Sequence, residues 1–264
     1  DKGSRLGGRL TGWQTDEGSK INLGARSLDS IPRWMDRFVD EWTRLGLVRR
    51  KGDSLVPKAP LPELLEHLSQ GSSIRLASRV SRLEDTEGDI LVTTESDGDR
   101  EVSRYDRVLV AVPVEQASEI AKGLGIVIDG ESVPSIVAWG FCDSTPEEVP
   151  EGFRIHDLGN STSMVELSPE VSGQLIDQDK RSLSKIITDS IGISGEGWKS
   201  HKWRYSRASS GPGSVVAKDG VSFIGDAFGH EIGSAGAALD SASRAVSNLH
   251  LSVLEPAFGR RPVQ

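Results

Sequence analysis

The spacing of apolar residues divides the chain into short strands and helices that interleave. Residues 30–46 predict the first long helix, because apolar side chains recur on one helical face and Gly46 follows. That face comprises Ile31, Trp34, Met35, Phe38, Val39, Trp42 and Leu45. The continuous apolar run 108–112, followed by Pro113, predicts a strand that is buried on both faces of a sheet. Interleaved strands and helices favour an α/β fold with a second region that has its own sheet.

The remaining elements follow the same periodicities. Further helices are predicted at 61–69, 114–122, 175–191 and 234–250. Strands are predicted at 20–24, 47–50, 54–56, 74–83, 89–94, 106–112, 134–142, 163–167 and 221–224, and the polar stretch 95–100 is expected to be a hairpin tip. The expected buried face of the last helix consists of Ala235, Ala238, Leu239, Ala242, Val246 and Leu249.

Composition narrows the function classes. A net charge of −8 argues against a nucleic-acid partner, which requires a basic face. No apolar run approaches the roughly 18–20 residues of a membrane span. The single cysteine, Cys142, excludes an internal disulfide and fits a reducing, cytoplasmic compartment. The five histidines are scattered, so no metal site is expected.

The glycine-rich segment after strand 221–224 is a candidate ligand site. Gly225 and Asp226 end the strand, and Gly233, Ser234 and Ala235 lead into the last helix. Glycines allow a ligand to approach the backbone, and free N–H groups at a helix N-terminus favour negative charge. A helix that packs tightly against a sheet would show the same small residues, and Asp226 alone would suit a helix cap or a turn. The pattern alone leaves both interpretations open.

Residues 1–9 resemble a second part of a ligand-binding site. Asp1 lies six positions before Gly7, Gly8 and Arg9. In dinucleotide folds, an acidic residue about 20 positions after the first glycine turn binds a ribose hydroxyl. The chain contains no G-x-G-x-x-G between a strand and a helix. We therefore expect the first β-α unit, roughly 30 residues, to be absent from this sequence.

Taken together, these segments resemble the flavin-containing amine oxidase superfamily, and within it the renalase-like proteins. The resemblance rests on the order and spacing of Asp1 to Arg9, Asn22 to Ala25, Arg79 to Leu83, Val110 to Pro113, His201 to Ser206 and Gly225-Asp226. It implies an α/β fold with a Rossmann-like FAD-binding domain, incomplete at its N-terminus, and an inserted substrate domain with a mixed sheet plus helices. The implied FAD-binding domain comprises 1–30, 57–113 and 215–264, and the substrate domain comprises 31–56 and 114–214.

The resemblance also implies roles for individual residues. Asp1 would bind the adenosine ribose, Val80 would contact adenine through its backbone, and Gly7, Gly8 and Arg9 would meet the pyrophosphate. The ribityl chain and the flavin ring would lie near Gly24, Ala25, Gly225, Asp226, Gly233, Ser234 and Ala235. Candidate flavin-pocket residues are Trp203, Tyr205 and Arg26, the last at a position where relatives often differ. We expect FAD to be bound non-covalently, because no cysteine or histidine stands where some relatives attach it.

The implied activity is an FAD-dependent oxidation of a small molecule. The donor of the hydride would be an amine or a reduced nicotinamide-type compound, and flavin N5 would accept it, with O2 or another compound reoxidising the flavin. The alternative is a non-catalytic or split-flavoprotein subunit that binds a partner chain rather than FAD on its own. A partner chain is expected only if the missing β-α unit is separately encoded.

Overall fold

A computed structural model describes residues 1–14, 20–58, 61–86, 88–142, 146, 148–159, 161–194 and 197–258. The strands of this described part are β1 (Gly12–Gln14), β2 (Lys20–Asn22), β3 (Val48–Lys51), β4 (Ser54–Pro57), β5 (Arg79–Thr86), β6 (Asp89–Ser96), β7 (Asp99–Tyr105), β8 (Val108–Val110), β9 (Glu131–Phe141), β10 (Phe153–Gly159), β11 (Thr162–Leu167), β12 (Lys199–Ser210), β13 (Val216–Lys218) and β14 (Val221–Phe223). The α-helices are α1 (Asp36–Arg44), α2 (Leu61–Leu68), α3 (Val114–Lys122), α4 (Pro169–Leu175), α5 (Lys180–Ser190) and α6 (Ala235–Phe258). Single 3-10 turns cover Gly8–Leu10 and Arg33–Met35.

The chain forms two compact units. Unit 1 comprises Asp1–Gly8, Arg26–Glu131 and Ala208–Gln264, and unit 2 comprises Arg9–Ala25 and Ser132–Arg207. These bounds place 31–56 and 114–131 in unit 1 and 9–25 in unit 2, unlike the domain bounds expected from the sequence. The assignment of the two predicted domains to cofactor and substrate binding stays a prediction.

The core of unit 1 lies around a parallel strand pair. Strand β14 pairs in parallel with β8 and antiparallel with β13, and both β8 and β14 are short and apolar. The apolar side chains of these strands, of α3 and of β6 form one buried cluster that includes Phe223 and Phe228. A separate antiparallel sheet has the order β5-β6-β7. Helix α3 follows β8 and packs on this core, and a parallel strand pair with a packed helix is typical of α/β folds.

The core of unit 2 lies on both faces of a four-stranded sheet with the order β10-β11-β9-β12. One face packs against α4 and α5 through residues such as Ile136, Leu183 and Ile187. The other face carries Trp139, against which the hairpin β1–β2 packs with Trp13. The two indole rings lie 5.5 Å apart, and the Lys199 ammonium lies 4.6 Å from the Trp13 ring centre. Both faces of this sheet are therefore covered by apolar side chains.

The α/β class predicted from the sequence is confirmed, and several elements have the predicted bounds. Helix α3 begins and ends as predicted, and α2 differs by one residue. The predicted hairpin at 47–56 is present as β3 and β4, with Val48 opposite Pro57. The predicted strand 221–224 is β14, and its pairing with β8 has the parallel direction that a Rossmann-like sheet requires.

Three helix predictions need correction. The helix predicted at 175–191 begins only at Lys180 as α5, because Asp179 caps it by accepting from the Arg181 and Ser182 N–H groups, and the separate helix α4, which ends at Leu175, was not predicted. In α1 only part of the predicted apolar face is buried, since Trp34, Phe38 and Leu45 remain exposed. In α6 the buried residues include Ala237, Ser241 and Ala245, whereas Val246 is exposed. The side chain of Leu249 lies outside the described residues. Small residues decide the buried face of α6 because the helix approaches its neighbours closely.

Strand predictions failed mainly in polar regions. The hairpin tip predicted at 95–100 is confirmed, since β6 and β7 pair antiparallel across a tight turn at Asp97 and Gly98, but the strand that follows the tip was not predicted. Strand β7 is almost entirely exposed and polar, so it lacks the apolar alternation by which strands are recognised. The predicted strand 74–83 begins only at Arg79, and the predicted strand 106–112 is confined to Val108–Val110. Strands β1, β7, β10 and β13 were not predicted.

Candidate cofactor site

The turn after β14 buries a carboxylate at the carboxyl end of the parallel strand pair. The Ile224 N–H donates to the Val110 carbonyl, which extends the pairing beyond β14 by one bond. Asp226 is only 7% exposed, and its Oδ2 accepts from the Ala208 N–H at 2.9 Å. Ligands of open α/β sheets bind outside the carboxyl ends of the strands. The turn therefore lies where this fold class holds its ligands.

Ser241 of α6 fixes the backbone of Gly225. Its Oγ accepts from the Gly225 N–H at 3.0 Å, and the hydroxyl lies 3.0 Å from the Gly225 carbonyl oxygen and 2.9 Å from that of Ala238. Ser241 is fully buried. Burying a polar group costs little free energy when the group is hydrogen-bonded. Here one hydroxyl lies within hydrogen-bond distance of both the N–H and the carbonyl of Gly225. Ser241 was not predicted, because a serine in an apolar helical pattern is not a distinctive signal.

Gly225 leaves room for a ligand beside the backbone. Its φ is +129°, and no atom lies within 4 Å of the point where a Cβ would stand. Three other glycines of the region serve packing, since a Cβ on Gly211, Gly229 or Gly236 would collide with the backbone of Ala227, Ala237 or Ser30. Gly225 therefore differs from its neighbours: the space at this position is open, as a site for a bound cofactor requires.

The N-terminus of α6 is partly occupied by the protein's own acceptors. Ser234 caps the helix, because its Oγ accepts from the Ala237 N–H at 2.9 Å. The Gly236 N–H donates to the Asp29 carbonyl, and the Gly233 N–H donates to the Asp226 carbonyl. The bond from Gly233 holds the start of this segment beside Asp226, and the predicted cofactor contacts of Gly233, Ser234 and Ala235 stay predictions. Two of the helix N–H groups that an anion would need already have acceptors, so the positive end of this helix is only partly available.

The two residues expected to contact adenosine lie on adjacent segments of unit 1. The Asp1 carbonyl accepts from the Ser78 N–H, and the Gly3 carbonyl accepts from the Ala77 N–H. These bonds hold Asp1 beside the chain that enters β5, where Val80 is the second residue. The Asp1 carboxylate is exposed, and its Oδ1 accepts from the Gly3 N–H at 2.6 Å. The structure therefore brings Asp1 near the start of β5.

Gly7 and Gly8 both have positive φ angles, +117° and +49°. No atom lies within 4 Å of a Cβ position on Gly8. Two successive residues with positive φ turn the chain sharply, a conformation that glycine adopts without steric cost. The predicted pyrophosphate contact of Gly7 and Gly8 stays a prediction, and the conformation of both residues is compatible with it.

In unit 2, three predicted residues form one hydrogen-bonded cluster. The Arg9 carbonyl accepts from the Ala25 N–H at 3.1 Å, and Arg9 Nη1 donates to the Ser206 carbonyl at 2.9 Å. A Cβ on Gly24 would collide with the Arg9 carbonyl oxygen. Only glycine fits at position 24, because two backbone segments cross there. The interaction of Arg9 with Ser206 was not foreseen, since backbone carbonyls leave no trace in the sequence.

The candidate flavin-pocket residues Trp203 and Tyr205 alternate on β12 and share one face of the sheet. Trp203 is half-buried against the cluster around Trp139, and its ring lies 4.3 Å from that of His201. Burial and, to a smaller extent, the nearby Lys180 charge lower the pKa of His201. Tyr205 is half-buried. The third candidate, Arg26, belongs to unit 1 and is half-buried.

The described residues contain neither a candidate metal site nor a candidate membrane-spanning helix. Within the part of the chain that the structure describes, no group of three or more histidine, cysteine or acidic side chains could hold a metal ion. Within those same residues, no helix has both the length and the apolar character of a membrane span. The expected cytoplasmic location stays a prediction.

Comparison with known proteins places part of the chain in relation to a flavin enzyme family. Residues 34–124, about a third of the chain, match the sequence profile described as flavin containing amine oxidoreductase. No curated protein matches the sequence. The matched segment lies wholly within unit 1 and includes Val80 but none of the residues of the turn after β14.

Several solved structures share the fold. BexE, studied for oxidation during BE-7585A biosynthesis, is 15% identical with a TM-score of 0.59, and the match covers 90% of this chain and 56% of BexE. A putative protoporphyrinogen oxidase from Exiguobacterium is 14% identical with a TM-score of 0.53, over 80% of this chain and 55% of that one. Cyclohexylamine oxidase from Brevibacterium oxydans is 10% identical with a TM-score of 0.53, over 81% and 57%.

These similarities establish the architecture. The chain spans about half the length of the solved structures that it matches. At identities of 10–15% the likeness shows the fold alone. The described chain therefore has the α/β fold of these oxidoreductases over most of its length.

Proposed function

We propose that this chain is part of an FAD-dependent oxidoreductase that takes a hydride from an amine or a reduced nicotinamide-type substrate. The single observation that carries the proposal is the turn after β14, where buried Asp226 and the open backbone position at Gly225 lie at the carboxyl end of a parallel strand pair. The partial match to the flavin containing amine oxidoreductase family supports the choice of cofactor.

We assign the cofactor to residues of unit 1. Asp1 and the backbone at Val80 would hold the adenosine, and the pyrophosphate would approach the backbone at Gly7 and Gly8. Asp226 would bind a hydroxyl of the ribityl chain, and Gly225 would let the flavin approach the backbone. Backbone N–H groups can donate to phosphate oxygens, carboxylates can accept from ribose and ribityl hydroxyls, and Gly8 and Gly225 leave the necessary space.

When bound, FAD supplies an acceptor for the substrate hydride at N5 and passes the electrons on to O2 or another acceptor. The protein's own task is then to bind, orient and desolvate the substrate. Trp203, Tyr205 and Arg26 stay candidate flavin-pocket residues on the strength of the resemblance. A neutral amine or a dihydronicotinamide needs no protein base, because it gives up a hydride rather than a proton.

The test is the flavin content of the protein expressed from its complete gene. Absorbance bands at about 370 and 450 nm, and FAD released on acid precipitation, would support non-covalent FAD. We expect Asp226→Ala to lower the flavin-to-protein ratio strongly. The control is Asp85→Asn, which changes an exposed carboxylate on β5 and leaves the turn intact.

The outcomes separate the proposal from its alternative. Protein that carries no flavin and does not bind added FAD would refute the proposal and favour a subunit that binds a partner chain. Flavin content that survives Asp226→Ala would refute the assignment of that turn. If FAD is present, amines and dihydronicotinamides are added separately under anaerobic conditions. The class of compound that bleaches the flavin absorbance band at about 450 nm is the substrate class.

A further inference from the structure

Residues 34–45, which comprise α1 and the residues that flank it, expose an apolar stripe. The stripe consists of Trp34, Phe38 and Leu45, which are 48%, 43% and 43% exposed. Met35, Val39 and Trp42, about a quarter turn further round the same segment, are buried. We call the three exposed residues the α1 stripe. Half-exposed aromatic rings of this size leave on the order of 300 Å² of apolar surface in water, which is typical of an interaction site.

Two opposite charges border the α1 stripe. At 3.6 residues per turn, Arg37 and Glu41 lie one turn apart on the side of the stripe that faces away from the buried residues. Both are exposed, and the Glu41 carboxylate also lies 3.6 Å from His67 Nε2. Asp36 is engaged elsewhere, since it accepts from Arg50 at 2.7 Å. Arg37 and Glu41 are therefore the charges that a partner of the stripe would meet.

The charge pattern fits a second copy of the same helix. When two helices pair antiparallel about a twofold axis, each presents the same flank to the other, and residues whose numbers have a constant sum lie opposite one another. A twofold axis between residues 39 and 40 sets Trp34 opposite Leu45 of the second copy. The same register sets Arg37 within one residue of Glu41 of the second copy, and both pairs occur twice by symmetry.

The charges fit other occupants less well. Between Arg33 and Arg44 the three arginines Arg33, Arg37 and Arg44 balance the three acids Asp36, Asp40 and Glu41, so the helix has no net charge. An anionic lipid surface would gain little from such a helix, because electrostatic attraction of amphipathic helices depends on an excess of basic residues. Alternating charges beside an apolar stripe instead favour a self-complementary pairing.

We propose that the α1 stripe is an isologous contact between two copies of this chain, in which antiparallel α1 helices bury Trp34, Phe38 and Leu45 and pair Arg37 with Glu41. The contact is smaller than the roughly 1,200–2,000 Å² of a stable interface. The dimer is therefore weak, and its population depends on protein concentration.

The experiment measures the dimerisation Kd of the intact protein by sedimentation velocity over a roughly hundredfold concentration range. Arg37→Glu and Glu41→Arg are each expected to raise Kd at least about tenfold, because each sets like charges opposite one another. An equimolar mixture of the two variants restores dimerisation, since the R37E copy is acidic at both positions and the E41R copy is basic at both. The double variant R37E/E41R also restores it.

Further variants separate the contact from folding and from other partners. Phe38→Ser is expected to abolish the dimer, and Val102→Ser, at an exposed apolar residue of β7, to leave it unchanged. His67→Ala removes the neighbour of Glu41 and should not alter Kd. A protein that stays monomeric at every concentration would overturn the proposal. The proposal would also be overturned if the charge reversals left the dimerisation Kd unchanged, or if mixing the two variants did not restore the dimer. Monomers that bind anionic vesicles through Trp34 would overturn it as well.

Discussion

Two glycines that the sequence assigns to the same cofactor play opposite roles in the structure. Gly225, in unit 1, has a φ of +129° and open space at its Cβ position. Gly24, in unit 2, has an ordinary φ, and a Cβ there would collide with the Arg9 carbonyl oxygen. The first leaves room for a ligand, whereas the second allows two backbone segments to cross.

The difference shows that a glycine in a cofactor motif has no single meaning. At Gly24 the hydrogen bond from Ala25 to Arg9 holds the crossing together, so the glycine serves the fold. At Gly225 the backbone is fixed by Ser241 while one side stays open, so the glycine can serve a ligand. Substitutions therefore separate the two roles: one set changes stability, and the other changes ligand binding.

The largest expected effect is that of Gly24→Ala. Because the new methyl group would overlap a carbonyl oxygen, the backbone crossing must open, at a cost of at least about 3 kcal/mol in the free energy of unfolding. Urea denaturation measures it. Gly8→Ala is the matched control: its Cβ has free space, so only the positive φ is penalised, by about 1–2 kcal/mol. Equal costs for the two variants would contradict the distinction.

Asp226→Ala should have the next largest effect on stability. It removes a buried carboxylate and leaves the Ala208 N–H without this acceptor, for which we expect a loss of about 2–3 kcal/mol. Asp226→Asn keeps an oxygen that can accept from Ala208 and should lose less. If both variants unfold at the same urea concentration as the unsubstituted protein, Asp226 does not hold the turn.

Ser241→Ala tests how the open glycine is fixed. The Gly225 N–H would lose its acceptor inside the protein, and we expect a loss of about 1–2 kcal/mol. Ser243→Ala, two residues further along α6, is the control, because Ser243 is only half-buried. Thermal unfolding of both variants would show whether Ser241 is the specific support; equal changes in Tm would argue that it is not.

The smallest effect concerns pH and unit 2. The pKa of His201 is lowered by burial, so the unfolded chain binds this proton more readily than the folded one. The contribution of His201 to the free energy of unfolding is therefore fully present above the pKa of the unfolded chain, about 6.5, and declines as the pH falls below that value. His201→Gln should flatten the dependence of Tm on pH between about 5 and 6.5. An unchanged slope would exclude His201 as its source.

The sequence predicted the helices and strands that bury apolar side chains. It did not predict those that are held by polar contacts or by backbone pairing alone. Helix α3 and strand β14 were found because their side chains bury on a regular period. Strand β7 escaped because nearly all of its residues face solvent, and pairing with β6 alone defines it. The buried face of α6 was misassigned because Ser241 points inward to a backbone group rather than to apolar side chains.

The candidate site was predictable only in its residue types. Gly225 and Asp226 followed from a strand that ends in a glycine and an acid, and Asp1 with Gly7 and Gly8 followed from resemblance. The partners of these residues were not predictable. The Ala208 N–H, the Ser206 carbonyl and the Asp29 carbonyl belong to the backbone, which is the same in every residue and shows no pattern in a sequence.

The paired indoles of Trp13 and Trp139 give unit 2 an optical signature of its own. Rings 5.5 Å apart and tilted by 52° couple their electronic transitions, so circular dichroism should show an exciton band that vanishes when the hairpin β1–β2 leaves the sheet. The tryptophans of unit 1, Trp34 and Trp42, are not paired with another indole among the described residues. A single titration with denaturant, observed at this band and in total fluorescence, would therefore show whether the two units unfold together or in turn.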